Sequence, residues 1–342
     1  MKRWLSLTGA LLLLVLVQVA GAAAQDGETG SIVGRVLDGT EEGSPVADQE
    51  VVLQGVRHSG EATILPVQTT RTDAEGSFRF DGLPVSEENS FLVFVTYDSV
   101  EYGSRDVTLT ADEPSAELEM EVYGSTTSDD QIRVSLDHIV LEADAQAQVL
   151  SVLEVFQVLN EGDRAYVNEG ENGDSLPTLQ LSLPDGAMQV RVISGVTPQD
   201  LVPAAGGLAD TTPVIPGEKE VALGYDLPYA ESDLLFQKTL AYPTDRLAVL
   251  VQDAGFTVDS PMLSAPQPTE MGEEQYFLLT GESLPAGQSI EVSLSGLPTT
   301  SSSGGRPDVL LPLLAIGLAA AIGISVLYLR LRRRAAEAQE SD

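Results

Sequence analysis

The segment ELEMEV, residues 117–122, alternates without a break: Leu118, Met120 and Val122 fall on one side of an extended backbone, and Glu117, Glu119 and Glu121 on the other. Successive side chains of a strand point to opposite faces, so this pattern buries one face and wets the other. A helix would scatter the same apolar groups around its axis. The period recurs along the chain. Ile32 and Val36 share a face in SIVGRVLDG, with Gly34 between them, as do Val51 and Leu53 in QEVVLQG. Phe78 and Phe80 in GSFRFDGL oppose Ser77, Arg79 and Asp81, and SFLVFVTY, apolar on both faces, reads as a central strand. Beyond residue 131, IRVSLDHIVL alternates Ile132, Val134, Leu136, His138 and Val140, and VLSVLEVFQVLN is a long, largely buried run. TLQLSLPDGAMQVRVI reads as two strands around a Pro-Asp-Gly turn at 184–186, and KEVALGYDL, RLAVLVQD and SIEVSLSGL complete the set. No stretch apart from the two chain ends sustains helical periodicity, and 31 Gly with 19 Pro supply the turns that many short strands need.

The expected fold class is therefore all-β: two tandem antiparallel β-sandwich domains followed by one C-terminal transmembrane helix. The expected organisation is a signal peptide over 1–24, a first sandwich over 25–124, a linker over 125–131 and a second sandwich over 132–297. A linker over 298–308, a transmembrane helix over 309–329 and a basic cytoplasmic tail over 330–342 follow. The N-terminal expectation rests on Lys2 and Arg3, the apolar run Leu11 to Val19 and the A-x-A site Ala22-Ala23-Ala24, with cleavage after Ala24. At the other end, 309–329 is uncharged and mostly apolar, and as a helix would span about 31 Å, the thickness of a bilayer's hydrocarbon core. Arg330, Arg332, Arg333 and Arg334 follow at once, and clustered positive charge marks the cytoplasmic side, which places 25–307 outside, in a periplasm or on an open cell surface. Gly317, Ala321 and Ser325, at steps of four, would let another helix approach closely.

Composition then removes whole function classes. With no cysteine there is no disulfide, thiolate metal site or Cys nucleophile. With 18 Lys+Arg against 52 Asp+Glu, the net charge of −34 repels nucleic acid and favours cations or basic partners, beside its plain effect on solubility. The two histidines, His58 and His138, stand apart, and His138 falls on an apolar-patterned strand as an interior or edge residue. No H-E-x-x-H, G-x-S-x-G, Walker A or G-x-G-x-x-G run is present. A pair of carboxylates suited to glycoside hydrolysis has no sequence mark among so many acids.

The stretch GSIVGRVLDG…GSPVADQEVVLQG…TRTDAEGSFRFDGLP carries a resemblance. Gly30, Ile32, Gly34, Val36, Pro45, Val46, Val51, Leu53, Thr72, Asp73, Gly76, Phe78, Phe80 and Leu83 match the pattern of the bacterial carboxypeptidase regulatory-like family over about 30–124. The resemblance implies a prealbumin (transthyretin)-like β-sandwich acting as an accessory module, without catalysis. A related family of surface-adhesin repeats closes a Lys–Asn isopeptide bond inside this fold. The only lysines here are Lys2, Lys219 and Lys238, so that bond cannot form in 30–124. LPTTS, residues 297–301, resembles a sortase signal but carries Ser301 where Gly should stand, which argues against wall attachment. The second half resembles no family.

Two acidic loops remain. In TDAEG, Asp73 is suited to cap a turn and Gly76 to supply positive φ ahead of the next strand, whereas Asp73 with Glu75 falls short of the six to eight oxygens Ca²⁺ prefers, so a hairpin is expected. In NEGDRAYVNEGENGDSLP, Asp163, Glu169, Glu171 and Asp174 are weak Ca²⁺ candidates, with Tyr166 and Val167 read as a hairpin element between them. The spacing fits neither an EF-hand nor a nonapeptide repeat, and a solvated loop without a cofactor is the favoured reading. The functional expectation is a non-catalytic, membrane-anchored envelope binding or scaffolding protein, an accessory subunit with a protein partner. The alternatives are a freestanding adhesin or receptor for glycan or protein and, behind it, a carboxylate-based hydrolase.

Overall fold

The structure is a computed structural model that describes residues 29–168, 176–272 and 274–299. The expected signal peptide and the 309–329 helix lie outside these residues. Among the described residues no helix is long and apolar enough to cross a membrane.

The first nine strands are β1 (Thr29–Asp38), β2 (Ser44–Pro45), β3 (Glu50–Arg57), β4 (Thr63–Ile64), β5 (Gln68–Arg71), β6 (Ser77–Pro84), β7 (Asn89–Tyr97), β8 (Val100–Gly103) and β9 (Ser115–Val122). They form two sheets. One runs β2-β1-β6 with β9 also on β1, and the other β4-β3-β7-β8 with β5 also on β3. The alternation places Ile32, Val36, Phe78, Phe80, Leu118 and Met120 against Val51, Leu53, Phe91, Val93 and Val95 in one buried core, the layer a β-sandwich requires. Gly34 sits where β1 is squeezed between β6 and β9: an added Cβ would stand 2.5 Å from the Leu118 carbonyl oxygen. The hairpin before β6 forms as its residues dictate. Asp73 Oδ1 accepts from the Glu75 N–H at 3.0 Å and the Ser77 N–H at 2.7 Å, and Gly76 has φ of +75°.

The remaining strands are β10 (Ser125–Thr126), β11 (Ile132–Asp144), β12 (Val149–Asn160), β13 (Ala165–Tyr166), β14 (Leu179–Ser182), β15 (Met188–Ser194), β16 (Leu201–Ala204) and β17 (Gly207–Asp210). They continue with β18 (Gly217–Pro228), β19 (Asp233–Thr239), β20 (Thr244–Gln252), β21 (Thr257–Asp259), β22 (Gln267–Met271), β23 (Glu274–Leu284) and β24 (Ser289–Ser295). A seven-stranded sheet, β15-β18-β12-β11-β20-β23-β22, is the spine. Two three-stranded sheets, β14-β17-β16 and β19-β24-β21, lie over the same face of it. The even residues of β12 show this directly: Leu150 and Val152 pack beneath β19 and β24, while Phe156 and Val158 pack beneath β14. The strands flanking the Pro-Asp-Gly turn do not pair with each other: β14 joins a small sheet and β15 the spine.

Three expectations are corrected. The sheets are not purely antiparallel, because β1 pairs β9 in parallel over eight residues and β11 pairs β20 in parallel. Both pairs join strands far apart in sequence, whose long connections cross to another sheet and return in the same direction. The inward series Ile132, Val134, Leu136, His138, Val140 breaks at a bulge between Val134 and Leu136, so Asp137, Ile139 and Leu141 face inward instead. Finally, among the described residues Tyr166 and Val167 form no hairpin. β13 pairs in parallel with β10, Tyr166 bridges to Val214, and Ala165 and Val167 enter the core of the first sandwich.

Phe236, fully buried on β19, is expected to carry the small sheet it belongs to: Phe236→Ala lowers stability by about 3–5 kcal/mol. Leu235→Ala, one residue along on the wet face, changes it by less than about 0.5 kcal/mol. Urea unfolding of the two variants checks the contrast.

Candidate functional site

The two small sheets meet over the middle of the spine, and the polar core lies at that junction. On β12, Glu154 occupies the inward position between Val152 and Phe156 and is 1% exposed. On β11, the bulge turns Asp137 to the same side, and on β19 Lys238 follows Phe236 on the inward face. Lys238 is 6% exposed and Asp137 3%, so two carboxylates and one ammonium share a site nearly free of water.

Their contacts are uneven. Glu154 Oε2 accepts from the Tyr225 hydroxyl at 2.9 Å, and its Oε1 accepts from Lys238 Nζ. Asp137 Oδ2 stands 3.8 Å from Nζ, and Oδ1 has no hydrogen-bond partner among the described residues. Nζ also lies 5.8 Å from the centre of the Phe156 ring, within cation–π range. Formal charges would leave the dry site one negative in excess. Burial accordingly raises the Asp137 carboxyl above the ordinary carboxylate range, against the pull of Lys238, and lowers the Lys238 ammonium, against the pull of Asp137. Burial also pushes the Tyr225 phenol well up, so it stays a donor. Beside the cluster is a cavity of about 20 Å³, bordered by Asp137, Glu154, Lys238, Gln180, Tyr242 and Thr244, which has room for one water.

The second lysine is held differently. Lys219 Nζ donates to Asp210 Oδ2 at 2.7 Å, and Asp210, fully buried, also accepts from the Thr212 N–H and hydroxyl, so every partner is satisfied. At the junction of the two halves, Asp98 Oδ2 accepts from the Ser125 N–H and hydroxyl at 2.6 and 2.9 Å. Gly124 N–H donates to Thr40 Oγ1 at 2.7 Å, and the Tyr102 hydroxyl donates to the Tyr123 carbonyl at 2.8 Å. Near this junction a groove of about 380 Å³ runs between β8 and β9, lined by Glu101, Glu117, Glu119, Glu121 and Arg105, with Ile215 at its lip.

The sequence candidates separate. Asp163 is exposed beside β13, while Glu169, Glu171 and Asp174 lie outside the described residues. Among the described residues no three His, Cys, Asp or Glu side chains group so as to hold a metal ion. His58 is exposed and bonds Ser90 Oγ at 2.9 Å. His138 is 7% exposed on the outer face of the spine, and its Nδ1 has no partner among the described residues. The Asp137–Glu154–Lys238 set escaped the sequence reading although a signal was present. Glu154 is a lone carboxylate in phase with Leu150, Val152, Phe156 and Val158, and Lys238 is in phase with Phe236.

No protein-family model matches the chain, and no curated protein matches it. Among solved structures it is similar to a DUF3823 family protein from Parabacteroides merdae, at 13% identity and a TM-score of 0.22, covering 63% of this chain and 91% of that one. It is also similar to the full-length RrgB pilus protein of Streptococcus pneumoniae, at 11% identity and a TM-score of 0.20, covering 83% of this chain and 64% of that one. A variant of BcpA, the major pilin subunit of Bacillus cereus, aligns at 14% identity and a TM-score of 0.19, covering 79% of this chain and 85% of that one. Superpositions this loose carry no argument about function, and the sandwich architecture stands on the sheets themselves.

His138 supplies a test by pH. Burial first, and the Arg246 cation second, push its pKa from 6.5 down to about 4. Between those values the unfolded chain binds the proton and the folded one does not, so stability is lost as the pH falls through that window. Asp137, with its carboxyl raised, acts in the opposite sense, losing its contribution as the pH rises above the ordinary carboxylate value. His138→Phe is expected to flatten the acid loss between pH 6.5 and about 4 relative to wild type, read from urea midpoints along a pH series.

Proposed function

We propose that the protein is a non-catalytic, membrane-anchored envelope scaffold, an accessory subunit that holds a protein partner outside the membrane. The observation that carries this reading is the seam between the two halves. Ala165 and Val167 of the second half are buried in the core of the first, and β10 and β13 pair across the connection, so the two sandwiches are packed together rather than strung on a free linker. Such a body suits the display of a surface at a set distance from an anchor.

The perturbed groups fit a structural role. Tyr97 is pushed up to about 12 by its hydrogen bond to Asp38, and Tyr276 upward by burial and then by Glu142, each joining strands within its own half. The net charge of −34 is consistent with a basic partner, and the groove between β8 and β9 gathers four glutamates beside one arginine. Resemblance to the carboxypeptidase regulatory-like family over the first half, with its accessory modules, supports the same reading. Anchoring would fall to the apolar segment 309–329 with its trailing arginines, oriented with the sandwiches outside.

Purification in mild detergent from native membranes tests the proposal. A stoichiometric partner is expected, and replacing 309–329 by a generic apolar span is expected to reduce its recovery severalfold while leaving the sandwiches folded. A protein that emerges alone would instead favour a freestanding surface receptor or adhesin.

A further inference from the structure

We propose that Lys238 and Asp137 condense to a side-chain amide that ties the β19 sheet covalently to the spine, with Glu154 as the proton relay. The three residues meet from three strands. Lys238 comes from the covering sheet, and Asp137 and Glu154 come from neighbouring strands of the spine beneath it.

The arrangement separates their roles. Glu154 is held at both oxygens, by the Tyr225 hydroxyl and by Nζ, which positions it to take a proton from the ammonium. Among the described residues Asp137 is held at neither oxygen by a neutral donor: Oδ1 has no partner and Oδ2 faces Nζ at 3.8 Å. That carboxyl is the electrophile, and burial favours its acid form, which can lose hydroxide as water. Lowering of the Lys238 pKa favours the free amine. Lys219 provides the contrast inside the same chain: a quarter exposed and bound to a single carboxylate that two further donors satisfy, it lacks a dry site and, among the described residues, pairs with no second acid to serve as relay.

The step balances without an oxidant or any co-reactant. Lys238 Nζ gives one proton to the Glu154 carboxylate, and the amine lone pair attacks Asp137 Cγ to form the C–N bond. Glu154 then returns its proton to the departing Asp137 hydroxyl as the C–O bond breaks, and takes a second proton from Nζ. The products are one amide N–H, one water and a protonated Glu154, with the site neutral before and after. The cavity beside the cluster can receive the water. Fixed proximity supplies what the same condensation lacks in solution, and exclusion of bulk water opposes the reverse hydrolysis.

The full-length protein, purified folded, is tested by mass. The expected result is an intact mass lower by one water than the sequence from its observed N-terminus requires. After trypsin, a branched peptide should join 134–164 to 220–246, uncut after Lys238, with fragment ions placing the branch at Asp137. Lys238→Arg, which keeps the cation but not the nucleophile, should show full mass and run more slowly on a denaturing gel, as should Asp137→Ala. Glu154→Gln should slow or abolish the loss of water. A wild-type protein of full mass that is cut after Lys238 would overturn the proposal, and so would a branch at Glu154 or the loss of water persisting in Asp137→Ala. Because the wild-type measurement decides by itself, a variant that fails to fold does not rescue the idea.

Discussion

The contact between Lys238 and Glu154 stands at the point on which the second half of the molecule turns. One seven-stranded sheet has to bury a face longer than either covering sheet, so two small sheets share it and leave a joint between them. A joint between two apolar layers is where polar groups can enter without breaking either core. Lys238 comes down from the β19 side, and Glu154 and Asp137 come up from the spine. Breaking such a pair by removing one partner leaves an unpaired buried charge, at a cost of about 3–5 kcal/mol, whereas replacing the whole set by apolar groups can be neutral. The cluster therefore argues more for specificity of alignment between the sheets than for stability.

A second constraint operates at the connection between the halves. The stretch 165–167 after β12 does not hang free beside the second sandwich. It sends Ala165 and Val167 into the first core and Tyr166 into the second, so both cores are completed by a single three-residue stretch. Asp98, Thr40 and Tyr102 of the first half bind the backbone of 123–125 from the other side. This reciprocity is the physical content of the scaffold reading, since motion of one sandwich against the other would expose apolar side chains from each.

How much of this was legible in the chain depends on distance along it. The hairpin at Asp73 and Gly76 is a local matter of one carboxylate and one positive φ, and it forms as its residues dictate. Strand positions are equally local, because alternation acts over a few residues. The face that β11 presents is not: a single extra residue after Val134 reverses inside and outside, and no composition rule locates that bulge. An unbroken phase puts Leu136 and His138 inside and Asp137 outside, which removes Asp137 from the buried site. Lys238 and Glu154 are 84 residues apart, and their partnership exists only once β19 lies across the spine.

That the chain is built of strands, where most of them run, and that it is strongly acidic can be read from the linear chain, because side-chain period and turn residues act between neighbours and net charge is a simple sum. Which strands pair in parallel, that two small sheets share one face, that 165–167 locks the halves together, and that three ionisable side chains meet in a dry joint emerge only in the folded molecule. Those outcomes depend on long chain crossings and on a one-residue shift of register, and both act between segments that the linear order keeps apart.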